Sequence, residues 1–222
     1  MVTTPCFVIP FETADGPTNM ALDEAMLETV SSHPGTALFR TYGWTEPTLS
    51  LGYFQRTAQR EADPRWRSVA TVRRATGGGA IWHDHELTYS LALPVTHPQA
   101  KPSERLYQTV HGAIASLLRM RGLAARSRAE AEINANATMR AAGHGEKNSP
   151  FLCFSGNDPA DIVSGGFKVV GSAQRRRAGA VLQHGSILLG GSERVPELRG
   201  IVDLIEAPKA PRWWDDKVEA SL

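Results

Sequence analysis

From Thr18 to Val30, apolar residues return every three or four positions, at Met20, Ala21, Leu22, Ala25, Met26 and Val30, which predicts a helix over 18–30. Thr18 or Asn19 can cap it, and Asp23 and Glu24 lie in early turns, where carboxylates meet the positive end of the helix dipole. Strands are predicted at 37–42, 48–53 and 69–74, separated by Gly43, Pro47 and Pro64, and at 86–93, where Pro94 stops the run. A second helix is predicted from Pro102 or Ser103 to Arg121. Leu106, Val110, Ala113, Ile114, Leu117 and Leu118 form its apolar face, and Gly122 suits its stop. Residues 124–149 hold few large apolar groups and read as a mobile insertion, within which 129–142 could form a weak helix. Strands follow at 167–173 and 180–189, joined as a hairpin around 175–179, then a helix near 196–205. The tail 207–222 carries Trp213 and Trp214, read as a surface segment docked on the body. This order predicts an α+β fold, a mixed β-sheet covered by helices, in one domain spanning 1–222.

Composition narrows the function classes. The 222 residues, 41% hydrophobic and 21% charged, suffice for a substantial core. Lys plus Arg number 24 against 23 for Asp plus Glu, a net charge of +1, so no nucleic-acid partner is expected. Two cysteines, Cys6 and Cys153, exclude a disulfide framework or a four-thiolate zinc site within one chain, while the count leaves one Cys6–Cys153 bridge open. The N-terminus shows no secretory pattern and no apolar run approaches a bilayer's thickness, so a cytoplasmic protein with no membrane partner is expected.

Candidate chemistry gathers in three blocks. In Arg73-Arg74-Ala75-Thr76-Gly77-Gly78-Gly79-Ala80-Ile81-Trp82-His83-Asp84, three glycines let a ligand approach backbone N–H groups closely, and the arginines offer forked donors to a phosphate, a carboxylate or a thioester-linked arm. The block matches neither the P-loop nor the dinucleotide fingerprint. His83 reads as a hydrogen-bonding pocket residue or a structural histidine, and the spacing of His83, Asp84 and His85 supports no metal site. Cys153, in Pro150-Phe151-Leu152-Cys153-Phe154, could be a buried small hydrophobe or a nucleophile. Lys168 favours the second, because a nearby ammonium stabilises a thiolate. Gly171, Ser172 and Ala173 follow Lys168 on its strand. His184 and Gly185 form the third block, where a structural histidine is the default.

In order, these blocks resemble the lipoate- and biotin-protein ligase superfamily, closest to its cysteine-dependent octanoyl- and lipoyl-transferase branch. The resemblance rests also on Asn19-Met20-Ala21-Leu22-Asp23-Glu24, Pro47-Thr48-Leu49-Ser50-Leu51-Gly52 and His85-Glu86-Leu87-Thr88-Tyr89-Ser90, and spans roughly 7–205. It implies a catalytic domain with an acyl-binding tunnel, in which Lys168 is the characteristic lysine and Cys153-Phe154 the nucleophile motif. Arg73, Gly77, Gly78, Gly79, His83, Gly171, Ser172, Ala173, His184 and Gly185 would bind substrate. Asp158 and Asp161 stand where the branch carries other polar groups.

The activity implied is transfer of an octanoyl or lipoyl group from acyl carrier protein, through a Cys153 thioester, to a lysine of a lipoyl domain or a glycine-cleavage H-type protein. No cofactor would be required. Two alternatives stand beside it. One is a ligase that uses ATP and Mg to form an acyl-adenylate, leaving Cys153 incidental; the other is a non-catalytic lipoyl- or acyl-binding module.

Overall fold

The computed structural model describes residues 4–136 and 151–205. In chain order the elements are β1 (Cys6–Ala14), α1 (Gly16–Ser32), β2 (Ala37–Trp44), β3 (Thr48–Leu51), α2 (Thr57–Glu61), β4 (Ala70–Arg73), β5 (Ile81–His83) and β6 (Glu86–Pro94). There follow α3 (Ser103–Met120), β7 (Arg126–Ser127), α4 (Arg128–Asn136), β8 (Ile162–Ser164), β9 (Phe167–Arg177) and β10 (Ala180–Leu188). A seven-stranded sheet has the order β1-β2-β6-β10-β9-β8-β7, and a three-stranded sheet the order β4-β3-β5. Each contains one parallel pair, β1 with β2 and β3 with β4, so both are mixed. This is the α+β class that the sequence predicts.

Strand alternation decides which helix covers which face. Ala92 and Leu182 pack with Met26, Leu27 and Val30 of α1, whereas their chain neighbours Leu93 and Val181 pack with Leu106 of α3. The small sheet builds its own core from Leu49, Leu51 and Trp82 around Trp66, with Leu152 added from the segment that carries Cys153.

Several expectations need correction. Helix α1 is capped by Asp15, which accepts from the Thr18 N–H at 2.8 Å, and not by Thr18 or Asn19. Asn19 is buried, and its amide donates to the Ala14 and Gly43 carbonyls. The buried stripe of α1 is Met20, Asp23, Met26, Leu27 and Val30, while Ala21, Leu22 and Ala25 are exposed. Asp23 lies on that stripe because it is a buried ion-pair partner of Arg40 at 2.8 Å, so its place in the core owes nothing to the helix dipole. On α3, Leu117 is exposed, and the buried positions are Leu106, His111 and Ala115.

The segment 196–205 forms turns, not a helix. Gly200 packs so close to the end of β10 that a Cβ there would lie 2.3 Å from the Gly190 nitrogen, and the N–H groups of Ile201 and Val202 donate to the carbonyls of Leu188 and Leu189. Backbone groups committed to a neighbouring strand cannot close helical turns. Within 124–149, read from the sequence as a mobile insertion, 126–127 instead joins the sheet edge and 128–136 is helical; residues 137–150 lie outside the described residues, as do Trp213 and Trp214. The hairpin turns at Ala178 and Gly179, both at positive φ. Cys6 and Cys153 are both free thiols. Among the described residues, no helix is long and apolar enough to cross a membrane.

Candidate active site

The glycine turn and the cysteine segment hold each other in place. The Ala80 N–H donates to the Phe151 carbonyl at 2.8 Å, and the Cys153 N–H donates to the Ala80 carbonyl at 2.8 Å. Gly79 permits this approach, since a Cβ there would lie 2.8 Å from the Cys153 nitrogen and 3.0 Å from its Cα. Cys153 then opens a single 3-10 turn, Cys153–Ser155, packed by the buried ring of Phe154.

Lys168, near the start of β9, reaches this turn. Its buried ammonium lies 2.9 Å from the Asp161 carboxylate, 3.0 Å from the Cys153 carbonyl and 3.7 Å from the Cys153 sulfur. Three donors thus meet three acceptors, which is the full capacity of an ammonium. Gly171 makes room for the arm: a Cβ there would lie 2.5 Å from Lys168 Cε and 2.9 Å from Nζ. Burial pushes the Asp161 carboxyl above its ordinary range, against the pull of Lys168. The ammonium is shared between the Asp161 carboxylate and the sulfur, so a Cys153 thiolate would have this cation within reach, with the buried Arg74 guanidinium nearby as a second positive charge. The sequence reading places Cys153 and Lys168 as candidates without putting them in contact; the structure brings them together and adds Asp161.

Beneath the turn lies Arg74, expected from the sequence to offer donors to a ligand but turned inward instead. Its buried guanidinium donates to the Ser50 carbonyl at 2.7 Å, the Ser50 hydroxyl at 2.8 Å, and the carbonyls of Gly77 at 3.0 Å and Gly79 at 2.8 Å. Burial lowers it to about 10, although the nearby Cys153 works in the other direction. Drawing the Gly77 carbonyl inward turns the Gly78 N–H outward, because the intervening peptide is planar and trans. Gly78 itself has φ 89°, a left-handed conformation natural to glycine. Arg73 spends one nitrogen on the carbonyls of Gly52, Tyr53 and Gln55 and so braces a loop; the residual access it has is to a neighbouring cleft of about 410 Å³. Arg74, Arg175 and Arg177 line that cleft too, with Glu24, Leu27 and Tyr53.

Several other candidates have their polar groups engaged within the fold. His83 is fully buried, stacks on Trp44 at 3.8 Å, and uses both ring nitrogens, on Glu86 at 2.9 Å and Ser50 at 2.6 Å; a pocket role is corrected to a core role. Burial lowers its pKa below 6.5. His184 is buried with Nδ1 3.3 Å from the Asp23 carboxylate. Burial alone would raise Asp23, but His184 and Arg40 together hold its carboxyl below the ordinary range. The Ser172 hydroxyl is taken by His111 and Tyr89, so that side chain is not free for substrate. Gly185 accommodates Tyr89 and β9, with a Cβ position 2.6 Å from the Tyr89 ring. Gly77 is open, its nearest neighbour being the Phe54 ring at 3.9 Å, and the Ala173 side chain lies 3.9 Å from the Cβ position of Gly78. Strand β8 stops pairing with β9 at Val170, so it does not cover the β9 edge that carries Gly171, Ser172 and Ala173. No cluster of three His, Cys, Asp or Glu residues able to hold a metal occurs among the described residues.

The class that the fold and site define is an α+β domain whose mixed sheet delivers a buried lysine to a cysteine beside a glycine turn. Residues 15–210 match the family model described as the lipoyl protein ligase A/B catalytic domain, and the chain belongs to that family. It is 40% identical over 183 residues to the octanoyltransferase LipM of Moorella thermoacetica, covering 79% of this chain and 62% of that protein. It is 37% identical over 181 residues to LipM of Geobacillus kaustophilus, covering 80% and 63%. The chain therefore spans about three-fifths of the length of these curated relatives. Among solved structures, a T. acidophilum protein described as a lipoate protein ligase matches with TM-score 0.63 at 22% identity, covering 91% of this chain and 77% of the other. A lipoate-protein ligase A bound with ATP matches with TM-score 0.57 at 20% identity, covering 91% and 77%. These two likenesses concern the fold alone.

Proposed function

We propose that the protein is an octanoyltransferase that moves an eight-carbon acyl group from acyl carrier protein, through a thioester on Cys153, to a lysine amine of a lipoyl-domain or H-type acceptor. The observation that carries this reading is the Lys168 ammonium 3.7 Å from the Cys153 sulfur, anchored at 2.9 Å by Asp161. The LipM relatives, at 36–40% identity, support the choice of octanoyl transfer.

In the first step the Cys153 thiolate attacks the donor's thioester carbonyl. The C–S bond to the carrier breaks as the bond to Cys153 forms, and the carrier leaves as a thiolate that takes a proton from solvent. In the second step the neutral acceptor amine attacks the acyl-enzyme, the bond to Cys153 breaks, and the amine gives up a proton as the amide forms. One thioester replaces another, then an amide replaces a thioester, so no nucleotide is consumed. In this reading the Gly78 N–H offers a donor for developing oxyanion charge, and the Lys168 ammonium can add one by turning from the Cys153 sulfur once that sulfur is bonded to the acyl carbon, a contribution of about 3 kcal/mol for one well-placed donor. Burying the acyl chain contributes on the order of 0.8 kcal/mol per methylene.

The test is to mix protein, octanoylated carrier and apo-lipoyl domain without nucleotide and follow acceptor mass. The proposal predicts addition of one octanoyl group. An acceptor that stays unmodified until ATP and free octanoate are supplied would establish a ligase instead, and carrier binding with no modification under either condition would establish a binding module.

A further inference from the structure

The sequence reading assigns no role to His111, yet it is the one polar residue buried on α3. Its Nδ1 lies 2.5 Å from the Ala160 carbonyl, and its Nε2 hydrogen-bonds the Ser172 hydroxyl. A carbonyl can only accept, so Nδ1 carries the proton. In the neutral ring Nε2 is then an acceptor and receives a hydrogen bond from the Ser172 hydroxyl. Ser172 Oγ in turn accepts from the Tyr89 hydroxyl at 3.0 Å, and Tyr89 from the Gln183 amide at 3.1 Å. Gln183 accepts from Gln174 at 2.9 Å. The chain runs one way from Gln174, whose amide also donates to the Ser103 carbonyl at 3.0 Å, to His111. Burial lowers its pKa and so favours the neutral ring, while the Ala160 hydrogen bond, Asp161 and Asp158 pull upward and Lys168 downward.

What the ring joins is the informative part. Ala160 immediately precedes Asp161, whose carboxylate anchors the ammonium, and Ser172 immediately follows Gly171, whose bare Cα forms the wall along the lysine arm. We infer that His111 is a positioning residue for the proposed Cys153 chemistry: by bridging Ala160 to Ser172 it fixes the width of the slot that holds the Lys168 ammonium beside the sulfur. The inference rests on the transferase reading for its consequence in turnover, but the slot itself can be probed without any acyl donor.

The experiment compares wild type with His111→Leu, which removes both ties, and His111→Asn, which keeps a donor for the Ala160 carbonyl. Ser172→Ala removes only the other tie. Iodoacetamide alkylation of Cys153, followed on its own peptide by mass spectrometry, reports how well the ammonium supports the thiolate; kcat and KM for transfer are measured alongside. His111→Leu is expected to slow alkylation at pH 7 at least fivefold and lower kcat at least tenfold with donor KM within twofold, and His111→Asn to recover most of both. Ser172→Ala should fall between. If His111→Leu does not fold, His111→Asn and Ser172→Ala carry the comparison. Alkylation at the wild-type rate in all folded variants, with activity lost only in proportion to the unfolded fraction, would overturn the inference. A wild-type protein that never takes up an acyl group would overturn the transferase reading instead, leaving the alkylation result to decide the slot.

Discussion

The Asp161 carboxylate and the Lys168 ammonium form a buried ion pair at 2.9 Å, each side chain only 4% exposed, within reach of the Cys153 sulfur. Removing one partner strands the other in a site with little water. Asp161→Ala is therefore expected to cost about 3–5 kcal/mol of folding stability. Urea unfolding checks the figure, and a loss below about 1 kcal/mol would mean that solvent reaches the pair.

Two glycines of one turn should respond differently to the same change. Gly79→Ala forces a methyl against the Cys153 backbone at 2.8 Å, while Gly77→Ala meets nothing closer than the Phe54 ring at 3.9 Å. Gly79→Ala is expected to cost about 1–3 kcal/mol as overpacking and to reduce acyl transfer at least tenfold by displacing Cys153. Gly77→Ala should stay within about 0.5 kcal/mol of wild type in folding stability. Thermal melts and turnover measured on the pair decide it.

Arg74 and Arg73 are adjacent, but only Arg74 is buried with its donors spent on the turn. Lysine has a single nitrogen and cannot serve the Ser50 group and both glycine carbonyls at once. Arg74→Lys is expected to lose about 3 kcal/mol, the worth of one or two charge-assisted bonds, whereas Arg73→Lys, at a partly exposed site, should lose less than half as much. Equal losses in urea unfolding would contradict this division.

His83 and His111 are both held below 6.5 by burial. As pH falls through about 6.5, the unfolded chain takes up protons at these positions before the folded chain does, so stability falls on acidification. The slope is up to about 1.4 kcal/mol per pH unit for each ring. Unfolding free energies at pH 7.5, 6.5 and 5.5 should decline in that order, with a shallower slope in His111→Asn. Stability that rises between pH 6.5 and 5.5 would refute the assignment of neutral buried rings.

Much of the scaffold could be read from the chain because apolar periodicity reports burial directly. It misleads where polar residues are buried in pairs. Asp23 occupies the core stripe of α1 because Arg40 meets it from β2, a partnership 17 residues away that no local spacing encodes. The strand β1 was missed for the opposite reason: it exposes Phe7, Val8 and Phe11 at the sheet edge and contains Pro10, so it lacks the alternation of a half-buried strand. In the site, Cys153 and Lys168 were legible as reactive types in matching blocks. Asp161 registered only as a departure from a family pattern, since its meaning depends on β9 bringing Lys168 back beside it. His111 left one faint signal, a histidine on the apolar face of α3, and its partners at Ala160 and Ser172 become visible only in three dimensions.

The most direct test of the proposed relay is the intact mass of the protein after exposure to octanoylated carrier protein with no acceptor and no nucleotide present. A single added octanoyl group that hydroxylamine removes, absent in Cys153→Ala and strongly reduced in Lys168→Ala, is the predicted result. An unchanged mass in the wild-type protein, or an adduct that persists in Cys153→Ala, would contradict it.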